Sequence, residues 1–483
     1  MRCLPHVAAG VLAALTLSLV AAPSPARGLT TGVNETGLSL LPPAEQPAAV
    51  AHLRDAGLGL VRIPVQWSVI APTPPPSRAL ARTPTWGGYD FAQLDVTVRL
   101  VAAAGAEPIL YLEQAPRWAE GRGRPPGRDV AAGVWKPSPT ALRDVAQALA
   151  ARYDGHHRPL GARARLPRVR YFQIWNEPNL PTFLAPQLEG GRVTSIQRYR
   201  QLLNAGYAGV KAAQPTARVV AASLAPFGDY PVRDALGRVP AAQFARGLLC
   251  SGARVGSRTC PQPARFDVFA FNAWPAASPE RPPIQADDLT VGVAATRLAT
   301  PLRAAVHRRA VLPARPKPLW LTEIGWATRG LDAGQIVSPA LQATYLARTL
   351  YEAWRSRIDA VLWWRWRDGP GTTLGFQTFA GLYQRGPTVA QDVPKPSLQA
   401  MRFPLVIPAG VPSPIAWGRA PVSGLVRLER RTGSRWRLVA ARQVRAGDGF
   451  TLPIPRGTRG TLRARVGADT SLMVTVGAQA ARR

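Results

Sequence analysis

Two short stretches hold the residue types that bond-breaking chemistry would need. "YFQIWNEPNL", Tyr171 to Leu180, ends a run of aromatic and branched residues with Asn176, Glu177, Pro178 and Asn179 in succession. "PLWLTEIGW", Pro318 to Trp326, places Glu323 at the end of another apolar run, and Gly325 lets the backbone turn directly afterward. Two carboxyl groups in one cleft suit cleavage of a glycosidic bond. One must be protonated to give its proton to the leaving oxygen, while the other must be ionised to attack or stabilise an oxocarbenium-like centre. Mutual repulsion helps divide the roles, because two close carboxylates do not ionise equally. A separation of roughly 5–5.5 Å implies the retaining, covalent route, and about 6.5–9.5 Å leaves room for an inverting water.

The elements that must position this pair are legible as eight apolar runs. They are "LTTGVNE" (Leu29 to Glu35), "GLVRIPVQW" (Gly59 to Trp67), "EPILYLEQ" (Glu107 to Gln114), "VRYFQIWNE" (Val169 to Glu177), "ARVVAASLAP" (Ala217 to Pro226), "FDVFAFNAW" (Phe266 to Trp274), "PLWLTEIGW" and "IDAVLWWRW" (Ile358 to Trp366). Helix-like segments lie between them, among them Ala48 to Gly57, Phe91 to Gly105, Thr140 to Tyr153, Ser195 to Ala213 and Ser338 to Arg355. Strands apolar on both faces and alternating with helices indicate a parallel sheet covered by helices. Eight such units predict a (β/α)₈ TIM barrel with insertions. A doubly wound open sheet is the alternative, disfavoured because no Gly-rich phosphate loop follows the first strand. On a barrel, Glu177 and Glu323 end the fourth and seventh strands, on the face where barrel enzymes keep their chemistry. Pro178 biases Glu177 toward extended geometry, so strand direction is expected to persist through it. Leu319, Leu321 and Glu323 share a side by alternation, and with the leucines inward Glu323 points into the mouth.

With these residues in place, the chain resembles a clan A glycoside hydrolase, in which an Asn-Glu pair ends the fourth strand and a second Glu ends the seventh. "WNEPN" and "TEIGW" carry the likeness, which covers most of Leu29 to Met401 and is closest to the cellulase-like and family 39 type of secreted actinobacterial protein. The resemblance implies Glu177 as general acid/base, Glu323 as nucleophile, Asn176 as a contact to the sugar 2-hydroxyl, and Arg62 in "VRIPV" as an orienting partner of the nucleophile. Members often carry a His and a Tyr at the end of the sixth strand, where this chain has "FNAWP", with Asn272 and Trp274. A Trp cannot accept a hydrogen bond as a phenol does, so a different sugar, an altered pH dependence or lost activity are the open consequences. Trp67, Trp118, Trp274, Trp326 and Trp363 lie at or just beyond predicted strand ends, where flat rings suit the CH faces of pyranoses. Trp363 is the platform candidate by resemblance, with Trp364 in its place if the register slips by one. Glu113 and Gln114 end the third strand and read as a solvated loop pair, with contact to substrate as the alternative; Asp229 and Asp368 are alternative carboxylates outside any specific motif. His156 and His157 have no third ligand near in sequence, so neither metal nor cofactor is expected.

The rest of the chain bounds these readings. Its 483 residues, 46% hydrophobic and 18% charged, have ample length for a large domain and a small one. Arg2, the apolar Val7 to Ala22 and the small residues Ser24 and Ala26 read as an export signal over residues 1–26, with an uncleaved N-terminal anchor as the alternative. The expected product is secreted or attached to the cell surface, with no transmembrane helix in the mature chain. Export permits a disulfide between Cys250 and Cys260, and two free thiols are the alternative. The barrel is expected over residues 29–402. From about Phe403, alternating runs at Gly424 to Arg431, Arg435 to Val444, Gly449 to Pro455 and Thr461 to Val466 predict a small antiparallel β-sandwich over residues 403–483, packed as an accessory or binding glycan. The net charge of +32 is spread along the chain, mostly as Arg, with Lys only at 136, 211, 317 and 395. That pattern reads as a solvated surface or an attraction to an acidic glycan or the cell envelope, and argues against specific nucleic-acid recognition. The leading function is hydrolysis of a β-linked oligo- or polysaccharide. The alternatives are a glycan-binding or envelope scaffold that lost turnover, and an electrostatic binder of nucleic acid or acidic polymer motivated only by the charge.

Overall fold

The computed structural model describes residues 27–35, 37–126, 130–257, 260–274, 277–330, 336–371, 378–409 and 414–477. The proposed export signal, residues 1–26, therefore lies outside the described residues. Eight strands close a parallel barrel in chain order: β1 (Thr30–Asn34), β2 (Leu60–Gln66), β3 (Glu107–Glu113), β4 (Tyr171–Ile174), β5 (Arg218–Leu224), β6 (Val268–Asn272), β7 (Leu319–Ile324) and β8 (Ala360–Trp363). Each lies inside one of the eight apolar runs. The longer helices that follow them are α1 (Gln46–Asp55), α2 (Ala92–Ala103), α3 (Pro139–Arg152), α4 (Ser195–Ala213), α5 (Ala241–Leu248), α6 (Thr300–His307), α7 (Pro339–Arg355) and α8 (Pro396–Arg402). Two start on Ser-Pro: the hydroxyls of Ser138 and Ser338 accept the backbone N–H groups of Ala141 and Leu341, with proline at the position that has no partner to lose. Gly57, at φ 64°, and Gly105, at φ 80°, lie just past the ends of α1 and α2.

Why the strands are apolar on both sides follows from their two neighbours. Val61, Ile63, Leu110, Phe172 and Ile174 face the helices, whereas Leu60, Ile109, Val220, Val268, Trp320, Ala360 and Leu362 plug the barrel interior beside Tyr171. Two residues further along, the inward stripe turns polar: Arg62, Gln173 and Thr322 are all fully buried. The plug thus forms an apolar floor beneath a polar mouth. One expectation about β7 is corrected here. Leu319 and Leu321 pack outward against the helices, and Trp320 is the residue that faces inward. Strict alternation would send Glu323 outward with the leucines. Instead the register slips between Phe271 and Asn272 on β6 and after Leu321 on β7, a bulge that turns Glu323 into the mouth.

The region from Phe403 builds two antiparallel sheets. One runs in the order Arg27–Gly28, Asp448–Pro453, Ile415–Arg419, Leu405–Val406; the other joins Arg435–Val444, Gly424–Thr432, Gly460–Val466 and Asp469–Thr470, with Val474–Val476 also on Gly460–Val466. Phe403, Leu405, Val426, Leu428, Phe450, Leu452 and Leu462 fill the space they share. The sandwich is fastened to the barrel. Arg27 donates to the carbonyls of Trp354 and Ile358, and Arg419 to that of Leu29. Trp417, fully buried, meets Tyr351 and Trp354 of α7 at ring separations of 5.5 and 6.0 Å. Cys250 and Cys260 are joined by a disulfide, against which the buried Arg200 rests. Among the described residues no helix is long and apolar enough to cross a membrane. Trp417→Ala should lower the unfolding free energy by about 3–5 kcal/mol in a urea titration, the usual cost of an emptied large aromatic site. A loss under about 1 kcal/mol would mean that the sandwich and α7 do not share a core.

Candidate active site

Arg62 lies at the centre of the mouth with 0% of its surface exposed. Its Nε donates to Gln173 Oε1 at 2.8 Å, one terminal nitrogen to Asn34 Oδ1 at 2.8 Å and Glu323 Oε1 at 2.7 Å, and the other to Asn176 Oδ1 at 2.7 Å. The Tyr111 ring lies 3.8 Å from the guanidinium carbon. A planar fork with five N–H groups can span this many acceptors; an ammonium cannot. Its acceptors are themselves fixed: Asn34 Nδ2 donates to the carbonyls of Thr322 and Trp363, and Gln173 Nε2 to that of Trp175.

Glu177 reaches the mouth by a different device. β4 stops at Ile174, and Trp175 and Glu177 adopt φ values of 68° and 38°, so the expected continuation of extended strand through Glu177 does not occur. Left-handed backbone at residues other than glycine is uncommon and costly, of order 1–3 kcal/mol each. It persists because the surroundings hold it. Tyr199 donates to the Ile174 carbonyl and accepts from Ala222 N–H, while Asn179 grips Ala225 and Val239, tying the end of β4 to the loop after β5. Ala222 and Ser223, facing this segment, are also left-handed. The turn swings the Glu177 side chain across to β6, where Asn272 Nδ2 donates to its Oε1 at 2.7 Å.

Asn272 is oriented by a relay. Thr322 donates to Asn272 Oδ1 at 2.8 Å and, having spent its proton there, accepts from Ser223 at 2.8 Å. The amide nitrogen is thereby turned toward Glu177. Asn272 also favours the ionised form of Glu323. Trp274 donates its indole N–H to Glu323 Oε2 at 3.3 Å. The sixth-strand pair thus supplies donors to the glutamates, a task that needs no phenol.

These surroundings separate the two carboxyls. Burial, then the charge of Glu323, pushes Glu177 up to about 8, against the opposing pull of Asn272 and Arg62. Burial also raises Glu323, but the Arg62 charge and hydrogen bond, with help from Trp274 and Asn272, pull it back. As a coupled pair they lose the first proton at Glu323, beside the guanidinium, and Glu177 keeps its own through neutrality. The arrangement can therefore present an acid and a base side by side.

Several residues read from the sequence lie elsewhere. Trp67 is fully buried: it opens a one-turn helix (Trp67–Ile70) and packs edge-on against Trp118. Trp363 is also fully buried and donates to the Ala380 carbonyl. Leu362 faces inward, so its neighbour must face the helices, and neither Trp67 nor Trp363 offers a ring to a sugar. Trp326 is buried beside Trp363. Trp364, half-buried and edge-on to Trp274 at 5.2 Å, holds the mouth position instead. Arg62, Asn272 and Asn176 are at the mouth, Arg62 as a positioning residue beneath it. Asp368 is paired with Lys395, Asp229 with Arg238, and among the described residues no group of three or more His, Cys, Asp or Glu is placed to hold a metal. Glu113 is no solvated loop residue; it is buried at the end of β3.

Comparison with protein-family models and with curated proteins finds no match. Solved structures are similar in fold. A family 39 glycoside hydrolase from the gut symbiont Bacteroides cellulosilyticus WH2 matches at 16% identity and a TM-score of 0.53, over 89% of this chain and 81% of that one. A glucosidase from Croceicoccus marinus matches at 13% identity and a TM-score of 0.50, over 91% and 84%. At such identities the likeness defines the architecture: a TIM barrel followed by a C-terminal β domain.

Two outcomes check the site. Arg62→Met should destabilise the fold by about 3–5 kcal/mol, because it leaves a buried carboxylate alone, and adding Glu323→Gln should restore part of that loss; equal instability of single and double variants in urea would refute the pairing. Because the folded-state value of Glu177 is raised, its contribution to stability is full below the unfolded value and is lost as pH rises through about 8. The melting temperature of Glu177→Gln should therefore gain on wild type from pH ~5 to pH ~9. A pH-independent difference would show that Glu177 titrates normally.

Proposed function

We propose that the protein is a secreted glycoside hydrolase that cleaves a β-linked oligo- or polysaccharide with retention of configuration, with Glu177 as acid/base and Glu323 as nucleophile. The observation that carries this reading is the asymmetry of the pair: one carboxyl is hydrogen-bonded to a buried guanidinium, the other has no bond to it and is held by Asn272. In the first step Glu177 gives its proton to the glycosidic oxygen as the C1–O bond breaks, and a Glu323 oxygen bonds to C1. In the second, Glu177, now a carboxylate, takes a proton from water, the water oxygen bonds to C1, and Glu323 departs as a carboxylate. Asn176 has committed its Oδ1 to Arg62, which leaves its Nδ2 to donate to a hydroxyl next to C1.

The fold shared with a family 39 hydrolase and a glucosidase supports this class of reaction, and the N-terminal export pattern supports secretion. The sixth-strand departure supports turnover as well, since Asn272 and Trp274 furnish donors to the two glutamates. The reading of a scaffold without turnover loses its motivation there.

Reducing-sugar release from a panel of neutral and acidic polysaccharides tests the proposal. Wild type should release sugar, Glu323→Gln should release none, and Glu177→Gln should fall by about 10²–10⁴-fold, less on aryl glycosides whose leaving groups need no proton. Undiminished release by Glu323→Gln would sink it. The rate should decline on the alkaline side as Glu177 loses its proton near 8, a limb that Glu177→Gln should lack.

A further inference from the structure

β3 places a third carboxyl group at the mouth that the two-glutamate chemistry does not use. Ile109 lies in the barrel plug and Tyr111 beneath the Arg62 guanidinium, so alternation carries Glu113, two residues on, to the inner side of the rim. Its nearness to the site is also electrostatic, since its charge acts on Glu177 and it feels both Arg62 and Glu323. Glu113 is 6% exposed, and its Oε2 is buried with no hydrogen-bond partner among the described residues.

Among the described residues most polar groups of the mouth are matched, the Trp364 indole N–H apart. Asn34, Gln173 and the Asn176 oxygen are committed to Arg62, Asn272 to Glu177 and Thr322, and both oxygens of Glu323 to Arg62 and Trp274. A buried carboxyl oxygen left without a donor costs free energy, and a Leu or Gln at the end of β3 would avoid much of it. A hydroxyl of a bound ligand would supply that donor. Burial, moderated by Arg62 and reinforced by Glu323, pushes the Glu113 carboxyl up to about 7, so near neutrality it can accept a hydrogen bond in either protonation state.

We propose that Glu113 binds the substrate, its free Oε2 accepting a hydroxyl of the sugar ring that lies against Glu323, and that it confines this position to a neutral ring with that hydroxyl unsubstituted. The inference rests on the glycosidase reading and narrows it. The charges on the page agree with the restriction. Glu113, Glu177 and Glu323 converge on the mouth, and the guanidinium beside them is already shared among four acceptors. Arg365 acts on Glu35 and Asp368. A uronate carboxylate or a sulfate in this position would face three carboxyl groups beside a guanidinium whose donors are already committed. The chain is strongly basic, yet the place where the bond breaks is acidic; any attraction to anionic glycans belongs to the outer surface.

Wild type, Glu113→Gln and Glu113→Ala should be compared on 4-nitrophenyl β-D-xylopyranoside, β-D-glucopyranoside and β-D-glucuronide. Binding of xylose, glucose and glucuronate should be measured in parallel by calorimetry in the Glu177→Gln protein with and without Glu113→Ala. Neutral glycosides should be preferred, and Glu113→Ala should lower kcat/KM on them by about 10–100-fold, the worth of a hydrogen bond to a charged group. Glu113→Gln should recover part of that loss through its amide oxygen. Glu113→Ala should also melt no lower than wild type, because it removes an unmatched buried carboxyl; a merely structural residue would lose stability together with affinity. An unchanged kcat/KM in Glu113→Ala, or a preference for the glucuronide, would overturn the proposal. Should wild type turn over none of the glycosides, the catalytic reading fails, and the binding arm decides this one: neutral sugar bound only with Glu113 intact upholds it, and no neutral sugar bound overturns it.

Discussion

Buried away from water, the Arg62 guanidinium has to be matched by acceptors brought from three other strands, and that requirement shapes the mouth of the barrel. Asn34 comes from β1, Gln173 and Asn176 from β4 and its end, and Glu323 from β7. Desolvating such a charge is costly, and only a complete set of partners makes it tolerable. Once the set is complete, the carboxyl nearest the cation ionises most readily, and the one beyond its direct reach retains its proton. The chemical polarity of the site is thus a consequence of where a single cation is buried.

Placing the two glutamates required the backbone to depart from strand regularity. A regular β7 would have turned Glu323 toward the helices, and the bulge after Leu321 prevents that. A regular β4 would have carried Glu177 straight upward, and left-handed turns at Trp175 and Glu177 bend it inward. Tyr199 and Asn179 brace the second distortion from α4 and from the loop after β4. Strain of this kind lies at the rim, while the floor of Leu60, Ile109, Val220 and Trp320 keeps ordinary strand geometry and supplies the rigidity against which it is held.

How much of this could be read from the sequence divides along the same line. Period and composition locate all eight barrel strands, because a strand covered on both faces must be apolar on both, and they place Glu177 and Glu323 at strand ends. Side-chain direction at those ends was not legible. Alternation sends Leu319 inward when the bulge demands the reverse, and it cannot distinguish Trp363 from Trp364 as the ring at the mouth. Trp67 and Trp363 fail as platforms for this reason: a tryptophan fills a core as readily as it stacks on a sugar. Gln173, Asn34, Thr322 and Ser223 belong to no motif, although polar residues inside apolar runs are a usable signal that something in the interior needs a partner. Glu113 reads more readily as a solvated loop residue than as a substrate contact because the end of a strand resembles the start of a loop, and its burial is visible only in the fold.

The division of protons between the carboxyl groups is the central claim, and it can be measured without knowing the sugar. Glutamate side-chain carboxyls labelled with ¹³C should be titrated by NMR in wild type and in Glu177→Gln. A carboxyl resonance titrating near 8 in wild type and missing from the variant is the predicted result. If every glutamate instead titrates near the ordinary value of about 4.3, the mouth does not hold one carboxyl protonated beside an ionised partner, and the account built on Arg62 is wrong.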